Sequence, residues 1–408
     1  MRILYIHQYF ATRRGTTGTR SLEQARAMQA AGHQVTMLTS SAQLRPEEIP
    51  AGRGVIRCGV IEGIEAVVLH VPYQQRMGYL RRIWSFLKFM VVACWVVLTR
   101  RRADLVFATS TPLTVGVPAL VGKLLRGIPF FFEVRDLWPD VPAALGILPN
   151  ALAIRVLKSM ELAFYRHARA IVAVNGDVAA AIGRATYGRK KIIVVPNACD
   201  TDFFRPQCAT GEFRRAHGLV GKVICVHAGA MGRVNHLGAV LDAAAAMRGD
   251  DRVRFVLIGE GSDKPVLRRW AEQEQLTNVL IMDAMPKTEL AGVLAESDIG
   301  LMTVAPVPEL EWNCANKLFD YLASGLPVVL NYRGWQGRLL GEHGCGLSAA
   351  QGDPAAFGAA IRRLTDDEAI RKRMSLAARQ LAETQLERRA VVRPLLAAIE
   401  ELDVSSGR

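Results

Sequence analysis

The feature that most constrains the fold is a regular alternation of short apolar segments, loops that contain glycine, and helices. Apolar segments of strand length lie at residues 3–7, 34–39 and 129–134 in the first half, and at 221–227 and 253–258 in the second. A strand, a loop and a helix repeated along a chain predict parallel α/β sheets. A chain of 408 residues is too long for one such core, so we expect two domains.

Positive charge is concentrated in the first of these domains. We place the domains at residues 1–200 and 201–386, followed by a terminal helix within 387–408 that crosses back to the first domain. Residues 1–200 hold 26 Lys and Arg against 12 Asp and Glu, a net charge of +14, whereas the whole chain has +13. Basic surfaces bind nucleic acid, anionic lipid or phosphorylated substrates, and charge alone does not choose among these partners.

Cysteine usage and the start of the chain both indicate the cytoplasm. The seven cysteines are dispersed without CxxC spacing, which argues for a reducing compartment and against a zinc site or a disulfide framework. Residues 2–7 read as a strand directly after Met1, without the basic start and apolar core of a secretory signal.

Residues 76–102 contain seven cations and no acidic residue. Their apolar run, 83–98, is 16 residues long and is interrupted by Lys88, so it is shorter than the roughly 20 residues that cross a bilayer. Two interpretations stay open: a helix buried in the first domain, or a helix lying in the membrane interface, and both hold if one face packs while the ends touch lipid. The residues expected to meet lipid are Arg81, Arg82, Trp84, Phe86, Phe89, Trp95, Arg100, Arg101 and Arg102.

A loop after the first strand carries two glycines and two arginines. Gly15 and Gly18, with Arg14 and Arg20 beside them, lie between a strand and a helix, where α/β sheets bind their ligands. The loop lacks the GxGxxG spacing of a dinucleotide site, which disfavours a nicotinamide dehydrogenase. A plain turn and a contact with a diphosphate or an acceptor both remain open.

Polar residues also follow later strands. Arg135 and Asp136 come directly after the strand 129–134, a position suited to chemistry, although a surface ion pair would explain them too. The string Asp200-Thr201-Asp202 could hold a divalent metal, but its position after Pro-Asn favours a helix cap.

The second domain repeats the arrangement. The loop 228–238 contains Arg233. The strand 253–258 ends in Gly259-Glu260-Gly261 and the strand 279–283 ends in Ala-Met-Pro; these ends, with Glu260, are expected to line a nucleobase slot, and a simple loop is the alternative. A helix predicted over 316–324 places Asn316 and Asp320 four residues apart on one face, with Lys317 alongside. A cation and free backbone N–H groups suit a phosphate, and a carboxylate suits the hydroxyls of a ribose. A solvated amphipathic helix is the alternative.

The segments NKLFDYLASGLPVV (316–329), RDLWP (135–139) and PNACDTDFF (196–204) resemble the family 4 glycosyltransferases. The nearest branch resembles N-acetyl-fucosamine transferases of bacterial surface-polysaccharide assembly. The resemblance implies the GT-B fold, two Rossmann-like domains facing a central cleft, and gives Asp320 the role of the ribose-binding acid. Trp312 stands where relatives carry a second glutamate, and Ala230 and Asn235 stand where they carry basic residues, for which Arg233 and Lys317 are the expected substitutes.

The function expected from the residues and the resemblance together is a retaining, metal-independent sugar transfer that needs no cofactor. The donor is a nucleoside-diphosphate sugar, with uracil as the base by analogy and an N-acetylated deoxyhexosamine as a candidate sugar. The acceptor is a polyprenyl-diphosphate-linked saccharide at the inner face of the cytoplasmic membrane, an anionic surface; no nucleic acid is expected. Donor binding is assigned to Gly15, Gly18, Arg233, Glu260, Asn316, Lys317 and Asp320, and catalysis to Arg135 and Asp136. A nucleotide-sugar 2-epimerase and a non-catalytic scaffold for membranes or polyanions remain alternatives.

Overall fold

The computed structural model describes residues 1–15, 18–71, 79–99, 103–146, 148 and 150–405, with the backbone alone at 79, 80, 82 and 405. The chain forms two compact units. Unit 1 comprises Met1–Pro196 and the chain from Val391, and unit 2 comprises Asn197–Ala390. The predicted Arg100, Arg101 and Arg102, and the side chain of Arg82, lie outside the described residues.

Unit 1 contains an eight-stranded sheet with the order β3-β4-β2-β1-β5-β6-β7-β8. Its pairs are parallel except for β3, which pairs antiparallel with β4 at the edge. Strand β3 is not among the predicted strands; exposed and half-buried residues alternate in it up to its last position. The strands are β1 Arg2–Ile6, β2 Gln34–Ser40, β3 Ile56–Ile61, β4 Ile64–Leu69, β5 Leu105–Thr109, β6 Phe130–Val134, β7 Ala170–Ala173 and β8 Ile192–Val194.

Helices connect these strands. The helices of unit 1 are α1 Arg20–Ala30, α2 Tyr79–Thr99, α3 Gly116–Arg126, α4 Asp140–Ala144, α5 Ala151–His167 and α6 Gly176–Ala185. The last helix of the chain, α15 Arg388–Ser405, begins in unit 2 and belongs to unit 1 from Val391 on.

Unit 2 contains a six-stranded parallel sheet with the order β11-β10-β9-β12-β13-β14. Its strands are β9 Val223–Ala228, β10 Val253–Ile258, β11 Val279–Met282, β12 Ile299–Met302, β13 Val328–Leu330 and β14 Gly346–Ser348. Its helices are α7 Glu212–Ala216, α8 Gly238–Ala246, α9 Lys264–Gln273, α10 Lys287–Ala295, α11 Asn316–Ala323, α12 Gly334–Glu342, α13 Pro354–Asp366 and α14 Glu368–Thr384. Two parallel-sheet α/β units confirm the predicted fold class.

Each sheet has a point at which the strand order reverses. In unit 1 the chain runs from β1 outward to β2 and later returns to β5 on the other side of β1, and in unit 2 the same reversal lies between β9 and β12. Loops at the C-terminal ends of the two strands that flank such a point diverge and leave a crevice. The topology therefore directs attention to the loops after β1 and β5, and after β9 and β12.

Helix α2 has one buried and one exposed face. Phe89, Ala93, Val96 and Val97 are buried in unit 1, so the expectation that Phe89 enters lipid is wrong. The opposite face exposes an apolar stripe at helical spacing, in which Trp84 is 69% and Trp95 63% exposed. The stripe consists of Trp84, Leu87, Val91, Trp95 and Leu98. Among the described residues, no helix has the length and apolarity needed to cross a membrane.

The helix cap predicted at Asp200 is also wrong. Residues 201–203 form a turn, and the Asp200 carboxylate pairs with Arg388 at 2.6 Å, where α15 begins. Asp200 therefore stabilises the start of α15 through an ion pair. Within the described part of the chain, no group of three His, Cys, Asp or Glu residues is arranged to hold a metal ion.

Candidate active site

The N-terminal turn of α11 lies at the point where the strand order of unit 2 reverses. Lys317, its second residue, places Nζ 3.4 Å from Nε2 of His227 near the end of β9 and 3.2 Å from Oδ1 of Asn235 in the following loop. Asn235 stands where the family resemblance places a basic residue. The ammonium group of Lys317, which belongs to α11, therefore lies beside the position of Asn235 in the loop after β9.

Burial changes the titration of these groups. Taking the ammonium group out of water lowers the pKa of Lys317 to about 7. His227 is fully buried, and burial followed by the charge of Lys317 lowers the pKa of its imidazole well below the usual range. Among the described residues, no carboxylate lies within ion-pair distance of Lys317. An anion placed at this cation would therefore favour its charged form.

Asp320 lies one turn further along α11 and is held by a residue that the sequence analysis missed. Its oxygens accept hydrogen bonds from Nζ of Lys287 at 3.0 and 3.1 Å, and its side chain is 15% exposed. Burial raises the pKa of Asp320, while Lys287 opposes the rise. Lys287 is the first residue of α10, and its Nζ also lies 5.0 Å from the centre of the Phe204 ring. Asn316 begins α11 and is half-buried.

Two glycine loops of unit 2 lie against each other beside Lys317. In the loop after β9, the N–H of Gly229 donates to the carbonyl of Ile258 at the end of β10 (2.9 Å), and the N–H of Met231 donates to the carbonyl of Glu260 in the loop after β10 (2.8 Å). A Cβ at Gly259, where φ is +159°, would lie 1.8 Å from the carbonyl oxygen of Gly229. Only glycine fits at this crossing.

Substituting Gly259 with alanine is therefore expected to destabilise unit 2 by about 3 kcal/mol, because the added methyl overlaps with backbone. The thermal midpoint should fall by roughly 6 to 12 °C, measured by differential scanning fluorimetry. Gly249→Ala is the matched control, since a Cβ at Gly249 meets no atom within 4 Å. Equal midpoints for the two variants would contradict this description of the crossing.

The other predicted donor residues of unit 2 are exposed. Arg233 lies in the same loop as Asn235, with its side chain in solvent. Glu260 follows β10 and pairs with Lys264 at 2.6 Å. Lys264 is buried and also pairs with Asp283, which follows β11. This pairing ties together the ends of β10 and β11, where the nucleobase slot was predicted.

In unit 1, one of the loop arginines has a structural role. Arg20 donates to the buried carboxylate of Glu133 (Nη2 to Oε1, 2.7 Å) and to the carbonyl oxygen of Val195 (2.6 Å). It is 7% exposed, so the expectation that Arg20 contacts a ligand is wrong. Gly15 donates to the carbonyl of Thr12 in a turn, and Gly18 is half-buried before α1.

Arg135 and Asp136 lie at the C-terminal end of β6, beside the loop after β5. The backbone N–H of Arg135 donates to Oγ of Ser110 at 3.1 Å, and the hydroxyl of Thr111 donates to Oδ2 of Asp136 at 3.1 Å. Within the described chain neither residue forms an ion pair, so the alternative of a surface ion pair is not what the structure contains. Burial and the charge of Arg135 lower the pKa of His7, at the end of β1, to about 3. The ends of β1, β5 and β6 thus present a cation and an exposed carboxylate together.

Each of the two units matches a known glycosyltransferase domain family. Residues 15–198 match the Glycosyl transferase 4-like domain, and residues 222–367 match Glycosyl transferases group 1. The chain is a glycosyltransferase. The family domains favour sugar transfer over the epimerase and scaffold alternatives.

A curated relative and several solved structures are similar to this glycosyltransferase. It is 22% identical over 271 residues to a probable glycosyltransferase, WbjE, of Pseudomonas aeruginosa; the match covers 65% of this chain and 66% of the relative's length. Sucrose-phosphate synthase from Thermosynechococcus elongatus has a TM-score of 0.76 at 14% identity, covering 99% of both chains. Anabaena Alr3699/HepE in complex with UDP-glucose has a TM-score of 0.71 at 15% sequence identity, and the match covers 98% of this chain and 100% of the Anabaena chain. WaaG, a glycosyltransferase involved in lipopolysaccharide biosynthesis, has a TM-score of 0.67 at 13% sequence identity, and the match covers 97% of this chain and 98% of WaaG. These likenesses show the GT-B fold.

Trp312 stands where the family resemblance places a second glutamate, and two acids, Glu309 and Glu311, lie beside it in the sequence. The Glu311 carboxylate accepts from the backbone N–H of Gly334 at 3.3 Å, so it holds the start of α12. Glu309 is half-buried in the same short helical turn, Pro308–Trp312. Among the described residues, Glu309 forms no hydrogen bond or ion pair with α12.

Proposed function

We propose that this glycosyltransferase takes its sugar from a nucleoside diphosphate, probed as UDP, bound in unit 2. The observation that carries the proposal is the placement of Lys317 and Asp320 on adjacent turns of α11, beside the reversal between β9 and β12. Lys317 is a cation with a depressed pKa and no carboxylate in ion-pair distance within the described chain, which suits the diphosphate. Asp320 is an oriented acceptor for the two ribose hydroxyls. The UDP and UDP-glucose complexes of the similar Anabaena protein support this choice of probe.

The chemistry follows from the charge that develops on the leaving group. When the bond from the anomeric carbon to the diphosphate breaks, its electron pair remains on the phosphate oxygen. Lys317 and the N–H groups at the start of α11 stabilise that charge from fixed positions, with Arg233 as a second, exposed cation. In this proposal the residues of the chain serve without a metal. Transfer proceeds with retention, because the acceptor hydroxyl attacks from the face that the diphosphate leaves, and its proton passes to the departing phosphate oxygen.

We assign acceptor binding to unit 1. Arg135 and Asp136 would orient the acceptor hydroxyl, and the basic character of residues 1–200 suits an acceptor that carries a diphosphate. A polyprenyl-diphosphate-linked saccharide combines that anion with a lipid. The branch resemblance adds an N-acetylated deoxyhexosamine as the candidate sugar and surface-polysaccharide synthesis as the process.

The test of the donor site is a titration of the purified protein with UDP, without added metal, followed by calorimetry. Asp320→Asn keeps the shape of the side chain and removes its charge. Losing charge-assisted hydrogen bonds to ribose is expected to weaken UDP binding by about 1.5 to 3 kcal/mol. The matched control is Asp353→Asn, a helix-capping aspartate of unit 2 at the start of α13. Unchanged UDP affinity in folded Asp320→Asn would remove Asp320 from the donor site.

We further propose that the exposed stripe of α2 lies in the membrane interface. Tryptophan favours the boundary between water and lipid, where its ring is buried and its N–H stays hydrated. The exposed Arg81 at the start of the helix would meet anionic headgroups. The helix would lie along the surface, with its other face packed in unit 1.

Trp84→Gln combined with Trp95→Gln is expected to reduce binding to anionic vesicles by at least about tenfold, since two interfacial aromatic anchors are lost. The measurement is cosedimentation with vesicles at fixed salt. Leu152→Gln combined with Val156→Gln is the control, because these α5 residues are 65% and 52% exposed. Equal loss in both pairs would show that the stripe of α2 has no special role.

A further inference from the structure

A cationic cavity lies at the N-terminal edge of the unit 1 sheet. Its volume is about 340 Å³, and its basic lining residues are Lys123, His167, Arg169, Arg189, Lys190 and Lys191. Pro129, Arg169 and Lys191 directly precede β6, β7 and β8, so the cavity is open beneath the starts of three parallel strands. Arg135 and the loop after β1, which carries Gly15 and Gly18, lie at the opposite, C-terminal ends of the strands. A five-residue strand separates the two ends by about 16 Å. The cavity is therefore separate from the candidate active site.

Most cations of this cavity lack acidic partners among the described residues. None of the residues that line it is Asp or Glu, and among the described residues Lys123, Arg169 and Arg189 form no ion pair. Lys191 is paired with Glu401 of α15. The cavity thus gathers positive charge that the protein itself leaves largely uncompensated.

Lys190 shows how closely these charges are held. Its Nζ donates to the carbonyl oxygens of Arg166 (2.5 Å) and Ala168 (3.0 Å), which fixes the ammonium group at the cavity wall. Burial and the charge of Arg169 lower the pKa of Lys190. An anion between Lys190 and Arg169 would relieve this repulsion.

We propose that this cavity binds a phosphate-bearing anion. Arginine presents a planar set of donors that matches phosphate, and lysine supplies a compact charge, so Arg169, Arg189 and Lys190 form a suitable set. The volume lies within the range of small-molecule sites. The ligand chemistry is that of a phosphate ester or a diphosphate.

Two sources can supply that phosphate: a solute or a lipid headgroup. Lys123 is followed on α3 by Leu124 and Leu125, which are 61% and 70% exposed. Arg126 donates to the carbonyl oxygen of Val97 at 2.7 Å, which ties the end of α3 to the end of α2. The cavity therefore opens beside exposed apolar side chains, as a headgroup site would require, while its volume also admits a free diphosphate.

The experiment compares Arg169→Gln/Arg189→Gln with Arg53→Gln/Arg155→Gln. Both pairs remove two exposed arginines of unit 1 and the same net charge, but only the first pair lines the cavity. One arm titrates inorganic pyrophosphate by calorimetry at fixed ionic strength. The other measures binding to phosphatidylcholine vesicles with and without phosphatidylglycerol. Any binding of pyrophosphate in unit 2 is shared by both pairs and cancels in the comparison.

The cavity pair is expected to bind the phosphate ligand at least about tenfold more weakly than the control pair, because two charge-assisted contacts are lost. A difference in the pyrophosphate arm identifies a soluble anion, and a difference confined to the phosphatidylglycerol arm identifies a headgroup. If neither arm distinguishes the two pairs, the proposal is overturned. The outcome does not depend on UDP binding, which the donor-site variants test separately.

Discussion

Lys317→Met is expected to abolish measurable UDP binding and at the same time to stabilise the folded protein. Methionine retains the unbranched, apolar stem and fills the same volume, so the packing beside Gly229 is kept. The ammonium group is lost, and with it the proposed contact to the diphosphate. Removing one partner of a buried charge pair costs about 2 to 5 kcal/mol of binding, which calorimetry with UDP would detect.

The gain in stability follows from the depressed pKa of the lysine. Its folded-state value is about 7, against 10.5 for the unperturbed group, because burial disfavours the charged form. Below pH 7 both states are protonated and the folded state bears the full desolvation cost. As the pH rises from 7 to 10.5, the folded state loses its proton first, so the free energy of unfolding of the wild-type protein increases. The advantage of Lys317→Met is therefore largest at pH 6 and shrinks towards pH 10.

Urea denaturation at several pH values measures this difference. The control is Lys372→Met on α14, where the lysine side chain is 74% exposed and pairs with Glu368 along the helix; its effect should stay within about 0.5 kcal/mol. A Lys317→Met protein that binds UDP as tightly as the wild type would exclude Lys317 from the donor site. A variant less stable than the wild type at pH 6 would contradict the burial argument.

The helices and strands of this fold can be predicted from local sequence, whereas the contacts between the residues of the candidate site cannot. The alternation of apolar strands with glycine loops is visible within a few residues of each loop, and helix 316–324 was anticipated to within one residue. The contacts of Lys317 with Asn235 and of Lys287 with Asp320 join residues 82 and 33 positions apart. Which side chains meet depends on the strand order, and no local pattern specifies that order.

Two expectations fail for the same physical reason. Residue type alone suggests a ligand contact for Arg20 and a lipid contact for Phe89, yet Arg20 lies 113 residues from its partner Glu133 and Phe89 faces the core of unit 1. The role of an arginine beside a glycine loop, or of an aromatic residue on a basic helix, depends on the surface against which its side chain packs. A useful signal was available for Arg20: a lone glutamate within the otherwise apolar strand FFFEV requires a buried cationic partner.

Glu133→Ala is expected to have the largest effect on the stability of unit 1, about 3 to 5 kcal/mol. Glu133 is fully buried on β6. Its carboxylate accepts from Arg20, from Nε2 of Gln24 (2.9 Å) and from the hydroxyl of Thr109 (2.8 Å). Although burial alone would raise the pKa of Glu133, the Arg20 guanidinium leads the groups that hold it below its usual value. Removing the carboxylate takes a paired anion away from the buried Arg20 guanidinium, which keeps its hydrogen bonds to the carbonyl oxygens of Val195 and Pro196.

Hydrogen exchange read by mass spectrometry separates the two units in this test. Amides of β1, β5 and β6 should exchange faster in Glu133→Ala, while those of β9, β10 and β12 should keep their protection, because the network lies within unit 1. The double variant Arg20→Met/Glu133→Leu removes both charges and should regain much of the loss. Full recovery is not expected, since the carbonyl of Val195 also loses its donor. Protection in unit 1 that is unchanged by Glu133→Ala would mean that the pair contributes nothing to holding β1, β6 and α1 together, and the position of Arg20 would then need another cause.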